Sequence, residues 1–197
     1  MTDEGEAPRT RQITLIGLSL TSVVIGVVTG FGAIILRYLM ALIHNLFFLG
    51  RFSFEYDANL PTPGSPLGPF VILAPVLGGL LVLFIVRRFA PEAKGHGVPE
   101  VMDAIYYKGG RIRPAVVVVK SLASALSIGS GASVGREGPI IQIGAGIGSV
   151  LGGWAHLRSW QRITLVACGT GAGIAATFNT PLGGLMFAIE LMLPEFS

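Results

Sequence analysis

The run Gly129-Ser130-Gly131-Ala132-Ser133-Val134-Gly135-Arg136-Glu137-Gly138-Pro139 is polar and glycine-rich, and it is set between two apolar segments. Ala115 to Ile128 precedes it with one charge, Lys120, and Ile140 to Ala155 follows with none. That pattern places Arg136 and Glu137 at membrane depth. An ionised side chain there costs roughly 2.5–3.5 kcal/mol on insertion scales, so it faces protein or water and is read as functional. Non-helical backbone at that depth is tolerated only where protein covers it or where it lines a cavity.

Composition agrees. Of 197 residues, 51% are hydrophobic and 13% are charged, and the mean hydropathy is +0.69. A soluble domain carries about 25% charged residues. The 28 glycines suit helices whose backbones approach closely. The net charge of +3 comes without a basic face interleaved with aromatics, so no nucleic-acid partner is expected. Cys168 stands alone in an apolar run and reads as an inert buried thiol. No zinc spacing, phosphate loop, carboxylate pair or nucleophile–base arrangement is evident. No catalytic residue, metal or cofactor is therefore expected. Residues 1–12 are polar and lack a signal-peptide pattern, so they read as a cytosolic N-terminal tail.

Ile13 to Leu36 runs 24 residues without a charge, long enough to span a bilayer. Its apolar character continues past Arg37 to Leu49, which predicts a long, tilted helix containing a Gly26/Gly30 small-residue pair. Arg51 to Pro69 holds four prolines and reads as a loop. Phe70 to Val86 reads as a second span, ended by Arg87-Arg88, and Ala90 to Pro114 as a polar connector. Lys and Arg gather at the N-terminus and in that connector, which puts both in the cytoplasm.

Beyond Pro114 the apolar segments shorten to Ala115–Ile128, Ile140–Ala155, Ile163–Phe178 and Leu182–Leu193. They are broken by Gly/Pro or Asn-Thr-Pro rather than by charged loops. Short interrupted segments point to discontinuous helices that meet near the midplane. Gly144/Gly148 and Gly169/Gly173 offer faces for close packing.

Three breaks share one grammar, a turn residue followed by Pro where a helix can begin. They are Gly95-His96-Gly97-Val98-Pro99-Glu100, Gly135-Arg136-Glu137-Gly138-Pro139 and Phe178-Asn179-Thr180-Pro181. Pro suits the first turn, where its missing N–H has no intrahelical partner. First-turn amides and the helix dipole favour an anion. A lone break of this kind is usually only a kink; two of them in a strongly apolar chain favour binding. Glu137, just before one such start, is a tethered anion able to occupy a site meant for a mobile one. Its bland reading is a cap or a salt bridge with Arg136. Lys120 either snorkels or supplies positive potential from within the protein, and Glu190 reads as a solvated helix end.

At these residues the chain resembles the CLC family of chloride channels and chloride/proton exchangers, over roughly residues 15 to 195. Gly135-Arg136-Glu137-Gly138-Pro139 is similar to the family's G-[K/R]-E-G-P motif, and Ile140-Ile141-Gln142-Ile143-Gly144 continues the likeness. Gly95-His96-Gly97-Val98-Pro99-Glu100 resembles G-S-G-I-P-E, and Ala176 to Leu182 resembles the break after the gate helix. The resemblance implies an all-α membrane protein of tilted, discontinuous helices whose N-termini point at a midplane anion site. It implies Glu137 as gate and an anion site formed by Gly95, His96, Gly97, Val98, Pro99, Gly135, Arg136, Gly138, Pro139 and Ile140. Lys120 would tune the field, and Glu190 is the candidate for a proton route. Residues 13–197 would form the N-terminal half of the membrane domain, in a full-length protein that is a homodimer in a prokaryotic plasma membrane, with chloride or a similar small anion as its partner.

Three departures carry weight. His96 stands where the family has a Ser. Leu191 stands where exchangers carry the second of two acids, which favours a channel over an exchanger. The second, inverted half does not follow within the 197 residues, which are expected to be one piece of a larger assembly. The favoured reading is thus anion transport by a channel, with chloride/proton exchange as the alternative. The rival from another class is a membrane-embedded enzyme or sensor using Glu137, Arg136 and His96 in a polar cavity. It lacks a nucleophile or metal set.

Overall fold

The computed structural model describes residues 13–56, 64–90, 95 and 97–193. The tail expected over 1–12 and the candidate ligand His96 lie outside the described residues. Seven helices follow in order: α1 (Leu15–Leu49), α2 (Leu73–Phe89), α3 (Val98–Lys108), α4 (Pro114–Gly129), α5 (Glu137–Trp154), α6 (Ser159–Phe178) and α7 (Pro181–Phe187). A 3-10 turn, Gly68–Ile72, leads into α2, and α7 widens into a π-helical turn, Ala188–Met192. No strand occurs among the described residues, so the all-α expectation holds.

The 35-residue α1 is capped at its start by Thr14, whose hydroxyl accepts from the Gly17 amide, and at its end by left-handed Gly50. Such a helix is about 52 Å long, against a hydrocarbon core of roughly 30 Å, and a helix of that excess tilts to fit. α1 and the continuous Gly68–Phe89 segment, the 3-10 turn together with α2, are the two described helical segments long and apolar enough to cross a membrane. Their outward faces are largely exposed, among them Val23, Val27, Phe31, Leu80 and Phe84. Among the described residues a Cβ at Gly26 or Gly30 would meet nothing within 4 Å; Gly32 instead makes the close contact, against Ile143.

The core is the α5–α6 pair. A Cβ at Gly144 would collide with the Gly169 carbonyl oxygen, and one at Gly169 with that of Gly144. Gly148 sits equally close to the Leu165 carbonyl, and a Cβ at Gly173 would lie 2.8 Å from the Ile140 oxygen. The two expected glycine faces therefore pack on each other, backbone to backbone. Around this joint, Leu36 of α1 and Ala125 of α4 bury Ile140 and Ile143. Val101 and Ile105 of α3 cover Ile141, Val166 and Ile174 on the other side.

One expectation needs correction. The 90–114 connector contains a helix, α3, with Val101, Ala104 and Ile105 buried and Asp103 paired to Lys108. Apolar residues at i, i+3 and i+4 give it one buried stripe, and left-handed Gly109 ends it. Its charged outer face masked that stripe in the sequence. The Pro starts are otherwise where expected: Pro99 lies in the first turn of α3, Pro139 in that of α5, and Pro181 opens α7. At the last break Asn179 closes α6 in the left-handed conformation, and the Thr180 hydroxyl caps α7 by accepting from Gly183.

Candidate functional site

The N-termini of α3 and α5 meet. Gly97 has φ +92°, a left-handed conformation that favours glycine, and a Cβ there would lie 2.7 Å from the Gly138 oxygen and 2.8 Å from its Cα. Only a residue without a side chain lets the α3 start rest on the first turn of α5. Two helix dipoles thus bring their positive ends to one place, where an anion is favoured.

Beside this junction opens a cleft of about 950 Å³. Gly95, Val98, Gly135, Glu137, Gly138 and Pro139 line it from the two breaks, and Lys120, Ser124 and Ser127 from α4. The wall opposite belongs to α2, through Val82, Val86 and Arg87. Glu137 is the first residue of α5 rather than the residue before it, and Arg136 takes the cap position. The Glu137 carboxylate is exposed and folds back over Gly135, where a Cβ would run into its Oε2. A short arm carrying a negative charge therefore stands at the meeting of two positive helix ends.

Four expected ligands lie elsewhere. Gly97 is buried behind Gly138, and Pro99 and Arg136 are exposed outside the lining. Ile140 is 1% exposed in the core, and its amide already donates to the Arg136 carbonyl, so neither its side chain nor its amide is offered to the cleft. Glu190 is exposed on the π-helical turn, away from the cleft lining. The third break, Asn179-Thr180-Pro181, likewise does not line it.

Lys120 is buried, and its ammonium is engaged. It lies 3.4 Å from both oxygens of Glu100 and donates to the Gly95 carbonyl. Gln142 of α5 donates from Nε2 to Glu100 Oε2 at 3.0 Å. The positive potential expected of Lys120 is thus largely balanced by Glu100, and the pair acts on the cleft as a dipole rather than as a free charge. Sequence reasoning missed this network, although a lysine inside an apolar helix requires a counter-charge. Glu100, at the third position of a helix starting beside the cleft, was the available acid. Gln142, the one amide side chain between Ile140 and Ala155, was the remaining signal.

Comparison with known proteins follows this geometry. A family described as voltage gated chloride channel matches residues 78–197. The H(+)/Cl(-) exchange transporter ClcA of Citrobacter koseri is 36% identical over 194 residues, covering 94% of this chain and 38% of that protein. ClcA of Klebsiella pneumoniae is 42% identical over 132 residues, covering 63% of this chain and 27% of that one. The solved structure of a slow cyanobacterial Cl-/H+ antiporter shares 30% identity and a TM-score of 0.65, covering 91% of this chain and 41% of its own. The chain spans about two fifths of the length of the ClcA of Citrobacter koseri and of that antiporter. With the family match over 78–197 and the glycine-rich breaks seated at one cleft, this chain is a membrane protein that belongs to the voltage gated chloride channel family.

Proposed function

We propose that this chain supplies half of an anion pathway, in a protein that exchanges chloride for protons, with Glu137 as the gate. The observation that carries this reading is the meeting of the α3 and α5 N-termini at Gly97 and Gly138, with the Glu137 carboxylate over Gly135. Amide hydrogens and dipole ends attract an anion without a full positive charge, so the ion can leave again. Glu137 competes with that anion when ionised and withdraws when protonated. One carboxylate then serves both the anion and the proton.

Exchange is preferred over a channel because the relatives described above are named as H(+)/Cl(-) exchange transporters or as a Cl-/H+ antiporter. One feature favours the channel reading: Leu191, 40% exposed, cannot pass a proton inward. Exchange here consequently needs Glu190 or water to complete the inner route. Residues 13–197 are read as the N-terminal half of the membrane domain, with the 87–114 side cytoplasmic and the intact protein a homodimer in a prokaryotic plasma membrane. It transports, and does not catalyse a chemical conversion.

The test is a chloride gradient imposed on proteoliposomes of the intact protein, with internal pH followed by a trapped dye. Stoichiometric uphill proton movement supports exchange. Chloride flux without it returns the protein to the channel reading, and absence of anion flux removes both.

A further inference from the structure

The turn joining α5 to α6 carries a second concentration of positive charge, away from the cleft. α6 has 20 residues, its cap position is Arg158, and no side chain caps its first amides. Arg162 lies in that first turn and is 8% exposed. Its Nη2 reaches the Leu157 carbonyl at 3.4 Å, one residue before the cap, so the guanidinium sits under the same helix opening. Among the described residues its Nε is buried with no hydrogen-bond partner.

The neighbouring loop adds another arginine. A Cβ at Gly109 would lie 3.1 Å from Ser159 Oγ, and one at Gly110 would lie 3.4 Å from Arg162 Cγ. On the far side, the Ile112 amide donates to Ser149 Oγ at 2.8 Å. Arg111 is therefore held between two pinned residues beside the α6 start, where its charge opposes that of Arg162. Among the described residues, no carboxylate lies within ion-pair distance of Arg111, Arg158 or Arg162. A buried guanidinium beside a second cation is unfavourable unless a counter-charge is supplied.

The chain's two tryptophans flank this turn. Trp154 is 76% exposed and Trp160 is 44% exposed. Tryptophan concentrates at the headgroup level of a bilayer, which places the turn beside lipid phosphates rather than in open water.

We propose that the α5–α6 turn binds a phosphate group, that of an anionic phospholipid, through Arg111, Arg158 and the first-turn amides of α6, with Arg162 beneath as the uncompensated charge. Arginine pairs with phosphate through its planar fork, and an open helix N-terminus offers further amide donors. The same chemistry would accept free phosphate, so the two sources are separated by experiment. Lipid is favoured by the flanking tryptophans.

The test uses the intact protein, purified and delipidated in detergent, and does not depend on transport. Thermal midpoints and native mass spectra are recorded with dihexanoyl-phosphatidylglycerol, dihexanoyl-phosphatidylcholine or inorganic phosphate. Variants Arg111→Gln and Arg158→Gln are exposed positions that keep the fold; Arg51→Gln, at the opposite end of α1, is the control. Phosphatidylglycerol should raise the midpoint and remain bound, with an affinity falling roughly five-fold per arginine removed and unchanged in the control. A double variant that binds phosphatidylglycerol as well as the wild type overturns the site, as does equal binding of phosphatidylcholine. Inorganic phosphate acting as strongly as phosphatidylglycerol, with the same arginine dependence, overturns the lipid assignment and makes the ligand a soluble phosphate.

Discussion

Glu100 and Glu137 occupy matching places and have opposite surroundings. Each lies in the first turn of a helix, and the two helices meet at Gly97 and Gly138. Glu100 is held by Lys120 at 3.4 Å and by Gln142 at 3.0 Å. Glu137 is exposed at the cleft and, among the described residues, makes no ion pair. The same carboxylate in the same electrostatic setting is fixed by neighbours in one case and left to swing in the other. Mobility here is decided by who stands next to the acid, not by the acid itself.

Removing the clamp from Glu100 gives the largest expected effect. Glu100→Gln leaves the buried Lys120 ammonium without its carboxylate, and breaking a buried pair from one side costs about 3–5 kcal/mol. The thermal midpoint of the intact protein should fall clearly. Glu100→Leu combined with Lys120→Met should recover most of that loss, because the charge leaves with its partner. If the single and double variants unfold alike, Glu100 is not clamped by Lys120 and the contrast with Glu137 disappears.

Separating the two helix starts comes next. Gly97→Ala forces a side chain into a left-handed backbone and against Gly138, which costs about 1–3 kcal/mol in conformation alone. Anion affinity, read by calorimetry with chloride, should drop together with stability. Unchanged chloride binding in a folded Gly97→Ala protein would mean that the junction does not build the site.

Glu137→Gln should sharpen the comparison from the other side. An exposed residue outside any packing or hydrogen-bond network changes stability by no more than about 0.5 kcal/mol. Function should change in kind. Lowering the pH should raise anion flux in the wild type, whereas the glutamine variant should conduct with little response to pH and without proton coupling. Wild-type pH dependence retained in Glu137→Gln proteoliposomes would reduce this carboxylate to a cap. The smallest effect is expected from Glu190→Gln in the same assay, a modest loss of proton coupling with anion flux intact.

The two acids also differ in how readable they were. Glu137 could be singled out as a candidate from the chain because everything marking it is local: a charge between apolar runs, glycines before it, and Pro139 two residues on. The spans of α1 and α2 and the Pro-led helix starts were legible for the same reason. The partner of Glu100 lies 20 residues away on another helix, and that of Gln142 lies 42 residues away. Such contacts depend on how helices lean together, which periodicity does not encode. The start of α3 at Pro99 was legible as one of these breaks, but its buried stripe was not, because 11 residues with a charged outer face resemble a solvated loop. The position of Ile140 was unread for a related reason. Motif adjacency put it beside the anion, while one further step along a helix of 3.6 residues per turn aims its side chain into the core.

The Gly144–Gly169 joint bears on tempo. With carbonyl seated on glycine along α5 and α6, there is no side-chain layer between the two backbones to act as a bearing. Sliding or rolling one helix on the other would have to lift main chain over main chain. On the proposed reading, a gate mounted on such a joint would open by turning its own bonds. Side-chain rotations of an exposed arm take picoseconds to nanoseconds, while helix displacements take microseconds or longer. On the proposed reading of Glu137 as the gate, the rigid pair beneath it is the fixed frame of a fast shutter.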